Sequence, residues 1–345
     1  MTKEIKCVVW DLDETLWDGT LLESEQVRLK PGMKEILHVL DERGILQSVC
    51  SKNDYNHAMT ALKERGLDHL FIYPQIGWDA KSILIGNIQR ELNIGFDSIL
   101  FIDDQMFELD EVKSVHPDIF CMQTIDQRTF LDIAELNPKF ITVDSARRRS
   151  MYMDDMQRKQ DEQTYNGPKE QFLSQLNMEF IISPATEEDL ARASELTVRT
   201  HQLNATGVTY DHDELNRFRQ SDSHRLYLCE LTDKYGTYGK IGLVLAEITD
   251  THWHLKLLLM SCRVMSRGVG TILLSFMMDQ AKKDGKKMLA DFRKTDRNKM
   301  MYITYRFANF KEIDVREDGE LLLLENDLSV VQKYPEYIRI IVKER

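Results

Sequence analysis

The sequence predicts two folded units: an α/β unit whose parallel sheet is covered by helices on both faces, then an α+β unit with a mixed sheet. Three observations carry that expectation. Apolar strand patterns alternate with amphipathic helical patterns through residues 1–143, the order that builds parallel sheets. A highly charged stretch, residues 144–178, breaks at Gly167 and Pro168 and reads as a helical connector with a solvated face. Beyond it, residues 179–345 place helices first and then strands joined by turn-rich segments, a rhythm unlike the first half.

In the first unit, residues 5–10 form a compact apolar strand. The spacing of Met33, Ile36, Leu37 and Leu40 predicts a helix over 31–43 that Gly44 ends. A strand over 45–50, a helix over 54–65 stopped by Gly66, and a short strand over 70–73 follow. A helix over 80–92 and a buried strand over 98–102 come next, and a strand near 119–122 closes the sheet. In the second unit, helices near 187–200 and 211–220 precede a hairpin of strands 226–231 and 240–248 across the turn DKYGTYG. A strand over 253–260 leads into a turn bearing Gly268 and Gly270 and a helix over 271–283. A strand over 288–292, a helix over 297–307 and terminal strands complete the unit.

Composition narrows the function classes. A length of 345 residues suits two domains, and 42% hydrophobic with 30% charged residues is the balance of a chain with real cores. The net charge of −12 speaks against a general nucleic-acid or membrane-surface binder, yet leaves room for a locally positive site that takes an anionic small substrate. No apolar run approaches the ~20 residues a membrane span requires. The opening MTKEIKCVVWDLDE runs directly into a strand and not into an apolar leader. The five cysteines, Cys7, Cys50, Cys121, Cys229 and Cys262, form no CxxC pair, so reduced thiols in a cytoplasmic protein are expected.

The chemistry concentrates at one sheet edge. Asp11 and Asp13 end the first strand in VVWDLDETLWDG, two residues apart and so on one side. Asp103 and Asp104 end the fourth strand and should reach the same edge, where open α/β sheets place their ligands. Carboxylates gathered in this way repel one another unless a hard cation binds, and oxygen ligands suit Mg2+. Ser51 ends the second strand and Lys81 opens a helix; a hydroxyl and an ammonium there would hold phosphate oxygens.

These elements in this order resemble the haloacid dehalogenase superfamily of phosphoryl-transfer enzymes. The resemblance implies an uncapped Rossmann-like sheet of that type, with Asp11 as the nucleophile that forms an aspartyl-phosphate and Asp13 as general acid/base. It further implies that Thr15 supports the loop and that Ser51 and Lys81 bind the phosphoryl group. Asp103, with Asp104 beside it, would hold Mg2+ together with Asp11 and the Asp13 carbonyl. The segment between Gly19 and Pro31 is too short for a cap domain, so a large substrate or a carrier protein is admissible.

Three strings, KCVVWDLDETLWDG, CSKND and LLLMSCRVMSRGVG, resemble the FkbH-like proteins of polyketide biosynthesis, over nearly the whole chain. That resemblance implies a glyceryl transferase/phosphatase that takes 1,3-bisphosphoglycerate, removes phosphate and loads the glyceryl unit as a thioester on an acyl carrier protein. The second unit resembles the Gcn5-related acetyltransferase fold, in which a glycine turn before a helix offers N–H groups to a pyrophosphate. Gly268 and Gly270 would give the close approach, to the carrier's phosphopantetheine arm, and Arg263 and Arg267 beside the turn are candidates for local recognition. The chain departs from that pattern at Met265, where Gln or Arg is expected, which counts against acetyl-CoA chemistry.

Of the thiols, Cys50 beside Ser51 is best placed to accept an acyl group. The competing reading turns it away from Ser51, because strand neighbours alternate faces, and lets the carrier's own thiol attack. His252 and His254 read as core or rim packing, and Met277 and Met278 as core filling. Two other functions remain in view: a magnesium-dependent phosphatase fused to an acyl-CoA-dependent N-acyltransferase, and a non-enzymatic carrier-protein docking module. The intact set of Asp11, Asp13, Ser51, Lys81 and Asp103 counts against the last.

Overall fold

The structure, a computed structural model, describes residues 4–23 and 27–344, which divide into two compact units, Met1–Met153 and Asp154–Arg345. The first begins with β1 (Cys7–Trp10), whose four residues are all buried. There follow a small hairpin of β2 (Trp17–Asp18) and β3 (Arg28–Leu29), then α1 (Met33–Glu42), β4 (Leu46–Ser51) and α2 (Tyr55–Glu64). Next come β5 (Gln75–Ile76), α3 (Lys81–Leu92), β6 (Ile99–Ile102), α4 (Met106–Val115) and β7 (Phe120–Met122). Among the described residues the main sheet runs β5-β4-β1-β6-β7, and every pair in it is parallel.

Burial on both faces explains why the two central strands, β1 and β6, are unbroken apolar runs. Val8, Trp10 and Val49 pack with Leu37 and Leu40 of α1 and Leu62 of α2 on one face. Cys7, Val9 and Cys50 pack with Ile85 of α3 and Val112 of α4 on the other. The strand expected over 70–73 is displaced to Gln75–Ile76. Ile72 N–H does reach the Gln47 carbonyl at 2.9 Å, but Tyr73 takes a φ of 50° and Pro74 has no N–H to give a ladder.

The charged connector forms α5 (Val143–Ala146), α6 (Arg148–Thr164) and α7 (Lys169–Gln175). Its charges are not all on a solvated face, contrary to the expectation. Arg158 is fully buried, grips Asp233 through Nε (2.7 Å) and Nη2 (3.0 Å), and lies 3.9 Å from the centre of the Tyr238 ring. Bidentate pairing and the aromatic face serve Nε and Nη2, while among the described residues the buried Nη1 has no hydrogen-bond partner.

The second unit contains β8 (Met178–Pro184), α8 (Leu190–Arg199), α9 (His212–Gln220), β9 (His224–Asp233), β10 (Gly236–Ile248) and β11 (His252–Met260). It continues through α10 (Val269–Lys283), β12 (Lys287–Arg293), α11 (Lys299–Phe307), β13 (Lys311–Arg316), β14 (Leu321–Asn326) and β15 (Ile338–Val342). The sheet order is β13-β14-β12-β11-β10-β9-β8-β15, with β11/β12 and β8/β15 parallel and the other pairs antiparallel, so the sheet is mixed as expected. Strand β8, with its alternating burial, precedes the first helix expected in the unit.

Strands β11 and β12 pair only from His252 to Leu255 and then part. The chain fills the gap with residues 203–205. Ala205 N–H donates to the Leu258 carbonyl (3.0 Å), Met260 N–H to the Leu203 carbonyl (2.9 Å), and Arg293 N–H to the Ala205 carbonyl (3.0 Å). The Asn298 amide adds a bond to the Asn204 carbonyl at 3.0 Å. Buried strand-edge groups are thereby satisfied. No helix among the described residues is long and apolar enough to cross a membrane.

Candidate active site

The register of the first sheet builds the site. Trp10 pairs with Ile102, so the next residues, Asp11 and Asp103, leave the sheet side by side at its C-terminal edge. Asp11 N–H still bonds the Ile102 carbonyl at 2.9 Å. Lys81 opens α3, and its buried Nζ donates to Asp11 Oδ1 (2.8 Å) and to Asp103 Oδ2. Ser51, at the end of β4, hydrogen-bonds the Asp11 carboxylate. Asp11, Asp103 and Asp104 each offer a carboxylate oxygen, all within 4.8 Å of one another.

Electrostatics describe a site short of positive charge. Burial pushes the Asp11 carboxyl up, to about 7; Lys81 pulls against that rise and Asp103 adds to it. Burial also disfavours the Lys81 ammonium, but Asp11 and Asp103 outweigh it and hold that group above its ordinary value. Asp104 is raised by burial and then by Asp103. Three ionised carboxylates against one ammonium leave two negative charges, which one hard divalent cation would neutralise. An all-oxygen donor set of this charge fits Mg2+, with Asp11, Asp103 and Asp104 as the residues that would hold it.

Asp13 stands outside that set through its side chain. Its Oδ1 accepts from Trp17 Nε1 (2.8 Å) and Leu21 N–H (3.1 Å), and its Oδ2 accepts from Asn53 Nδ2 (2.9 Å). Thr15 is buried within the tight turn in which Leu16 and Trp17 N–H groups return to the Leu12 carbonyl. Trp17 and Asn53 were not singled out from the sequence, although both sit inside strings that were, DLDETLW and CSKND.

Cys50 departs from the expectation of a nucleophile. It is fully buried on the α3/α4 face of the sheet, its Sγ 3.8 Å from the Lys81 carbonyl, and burial pushes its thiol well above the ordinary range. Strand alternation turned it away from the edge at which Ser51 meets Asp11.

In the second unit, Gly268 caps the start of α10 with a φ of 77°, a conformation that favours glycine, whereas a Cβ at Gly270 would make only an ordinary contact 3.8 Å from Met260. A cavity against this helix start is lined by Leu258, Met260, Met265, Gly268, Met300 and Met301. Arg267 does not face it as a recognition group; it is buried and paired with Glu162 at 3.0 Å. Arg263 donates to the Tyr238 carbonyl at 2.9 Å. His254 is buried and bonds Asp291 at 2.7 Å, the packing role expected of it, and Lys256 completes that cluster at 2.7 Å from the same carboxylate.

No protein-family model matches the chain, and no curated protein does. Among solved structures, the chain is similar to the N-terminal part of the protein BF1531 from Bacteroides fragilis, which contains a phosphatase domain complexed with Mg. That likeness has 30% identity and a TM-score of 0.36 over 39% of this chain, and it spans 40% of that one. The ribosomal-protein-S18-alanine N-acetyltransferase from Escherichia coli is similar at 15% identity over 45% of this chain and 97% of its own, with a TM-score of 0.35. An acetyltransferase of the GNAT family from Streptococcus pneumoniae is similar at 18% identity over 43% of this chain and 99% of its own, with a TM-score of 0.32.

Proposed function

We propose that the chain is a magnesium-dependent phosphatase and glyceryl transferase that uses 1,3-bisphosphoglycerate and loads the glyceryl unit onto the phosphopantetheine thiol of an acyl carrier protein. The observation that supports it is the buried Lys81 ammonium between Asp11 and Asp103, with Asp104 within reach of the same oxygens. In this reading an Asp11 oxygen attacks the phosphorus of the substrate's phosphate ester while Lys81 and Ser51 hold the phosphoryl oxygens. Asp13 gives a proton to the departing oxygen and takes one from the water that then cleaves the aspartyl-phosphate. Magnesium held by Asp11, Asp103 and Asp104 would supply neutralisation of the phosphoryl charge.

The acyl half of the reaction needs no protein thiol. The carrier's thiolate attacks the acyl-phosphate carbon; the C–S bond forms, the C–O bond to phosphate breaks, and inorganic phosphate leaves. The burial of Cys50 favours this route over a glyceryl-enzyme. The groove beside Gly268 is the surface this reading gives to the carrier's arm. Because residues 203–205 take the free edge of β11, the arm would meet side chains and the start of α10 there and not that edge. Incubation with 1,3-bisphosphoglycerate, magnesium and a phosphopantetheinylated carrier, followed by intact-mass measurement of the carrier, tests the reading. A carrier heavier by one glyceryl group supports it. Phosphate release with an unchanged carrier leaves only a phosphatase, and acetyl-CoA consumption with an amine acceptor supports the N-acyltransferase alternative.

A further inference from the structure

We infer that Asn53 and Trp17 are positioning residues that fix Asp13 as the proton-transfer group of the site and confine its mobile proton to Oδ2. The inference rests on the phosphoryl-transfer reading and adds to it the residues that make Asp13 competent.

A carboxylate offers about four acceptor positions, two on each oxygen. At Asp13 three are taken. Trp17 Nε1–H and Leu21 N–H occupy Oδ1 at 2.8 and 3.1 Å, and Asn53 Nδ2 occupies one position on Oδ2 at 2.9 Å. Among the described residues one position is left, and it is on Oδ2. The indole and backbone N–H groups cannot accept a proton, and the Asn53 amide presents its NH2 to the carboxylate, so none of the three competes for the proton. All three bonds persist whether Asp13 is ionised or protonated at Oδ2. A proton therefore arrives and departs without a rotation of the side chain, the condition for one group to act first as acid and then as base.

The donors are themselves held. Trp17 is fully buried in the α1/α2-side core, with the Arg65 guanidinium 5.6 Å from its ring centre. Asn53 is 1% exposed, and among the described residues its Oδ1 has no hydrogen-bond partner. An interior amide with an unpaired acceptor is poorly explained by stability alone. Its loop is fastened residue by residue: Ser51 to Asp11, Lys52 to the buried Glu108 at 2.6 Å, and Asn53 to Asp13. Three consecutive side chains thus tie the end of β4 to three acids around the site.

The test uses Asn53→Leu, close in size but without the donor, and Trp17→Phe, which keeps a ring and loses the N–H. With magnesium present, kcat/KM is measured for glycerol phosphate, whose leaving alkoxide needs a proton, and for p-nitrophenyl phosphate, whose leaving group does not. General acid catalysis is worth about 10²–10⁴-fold, so partial misplacement of Asp13 should cut the alkyl ester about 30-fold or more in either variant. The aryl ester should fall less than about threefold. In an Asp13→Asn background, Asn53→Leu should add no further loss on the alkyl ester. Equal losses on the two esters, or a full additional loss in the double variant, would overturn the inference and leave a merely structural brace. Thermal melts of both variants report folding; if Trp17→Phe unfolds, Asn53→Leu decides by the same criteria. A wild type inert toward both esters overturns the phosphoryl-transfer reading itself, and the inference with it.

Discussion

Replacing Lys81 with methionine should cost the native state much of its margin, and in a way that depends on pH and magnesium. The ammonium is 4% exposed and touches Asp11 and Asp103, with Asp104 in the same cluster. Its removal changes the ionised cluster from two net negative charges to three in a buried space. Breaking one partner out of a buried pair costs about 3–5 kcal/mol, because the charge left behind is uncompensated. Proton uptake limits that cost: Asp11 already stands near pKa 7 through burial, and loss of Lys81 raises it further. The sign follows. Near neutral pH the native variant binds more protons than the unfolded chain, so its stability falls as pH rises, by up to about 1.4 kcal/mol per pH unit for each extra proton held. The expected loss is therefore about 3 kcal/mol at pH 7, smaller at pH 6 and larger at pH 8, and magnesium should recover part of it. Urea unfolding of wild type and Lys81→Met at the three pH values, with and without magnesium, measures all of this. A loss under about 1 kcal/mol, or one indifferent to pH and magnesium, would refute the charge account of the cluster.

Three further outcomes follow from the same geometry. Because magnesium requires Asp11 ionised and burial pushes that carboxyl up to about 7, magnesium affinity should fall roughly tenfold per pH unit below 7 and level off above it. Calorimetric titration in buffers of different ionisation enthalpy should find nearly one proton released at pH 6 and almost none at pH 8, and Asp103→Ala should abolish the binding. Cys50→Ala should cost about 1–2 kcal/mol as a small core truncation yet leave carrier loading in place; loss of loading without loss of stability, or a glyceryl adduct on Cys50, would restore it as the nucleophile. Gly268→Val forces a β-branched residue into a φ of 77° with its Cβ 2.5 Å from Tyr337 Oη, a strain of about 1–2 kcal/mol at the start of α10. Carrier loading should fail while phosphate release from a small ester survives, and survival of both makes the turn a purely structural one.

The acidic edge of the first sheet was readable in the sequence because its parts are local. A short apolar strand ending in Asp11 and another ending in Asp103 can pair in parallel in few ways, and parallel pairing brings their ends together. Lys81, a further α-helix start, follows from the same alternation. What escaped was decided by contacts distant in sequence or by single backbone angles. Asn53 and Trp17 meet at Asp13 only after folding, 40 and 4 residues away along the chain. The strand expected over 70–73 has the right residues, and Tyr73 with its positive φ undoes it. Arg267 looked like a surface recognition group beside a glycine turn, yet it is buried and its guanidinium bonds Glu162, 105 residues earlier. Residues 203–205 carry no strand signal of their own; the unpaired edges of β11 and β12 recruit them.

The central claim is that Asp11 is phosphorylated during turnover, and trapping that adduct tests it most directly. Wild type and Asp11→Asn, each with magnesium and a phosphate ester, are quenched in acid within the first turnover and digested, and the peptide that contains residue 11 is weighed. The account predicts a wild-type peptide heavier by one phosphoryl group that hydroxylamine removes, absent with EDTA and absent in Asp11→Asn, whose phosphate release falls by about 10³-fold or more. An unmodified wild-type peptide during active turnover, or an Asp11→Asn protein that still releases phosphate at a comparable rate, contradicts it.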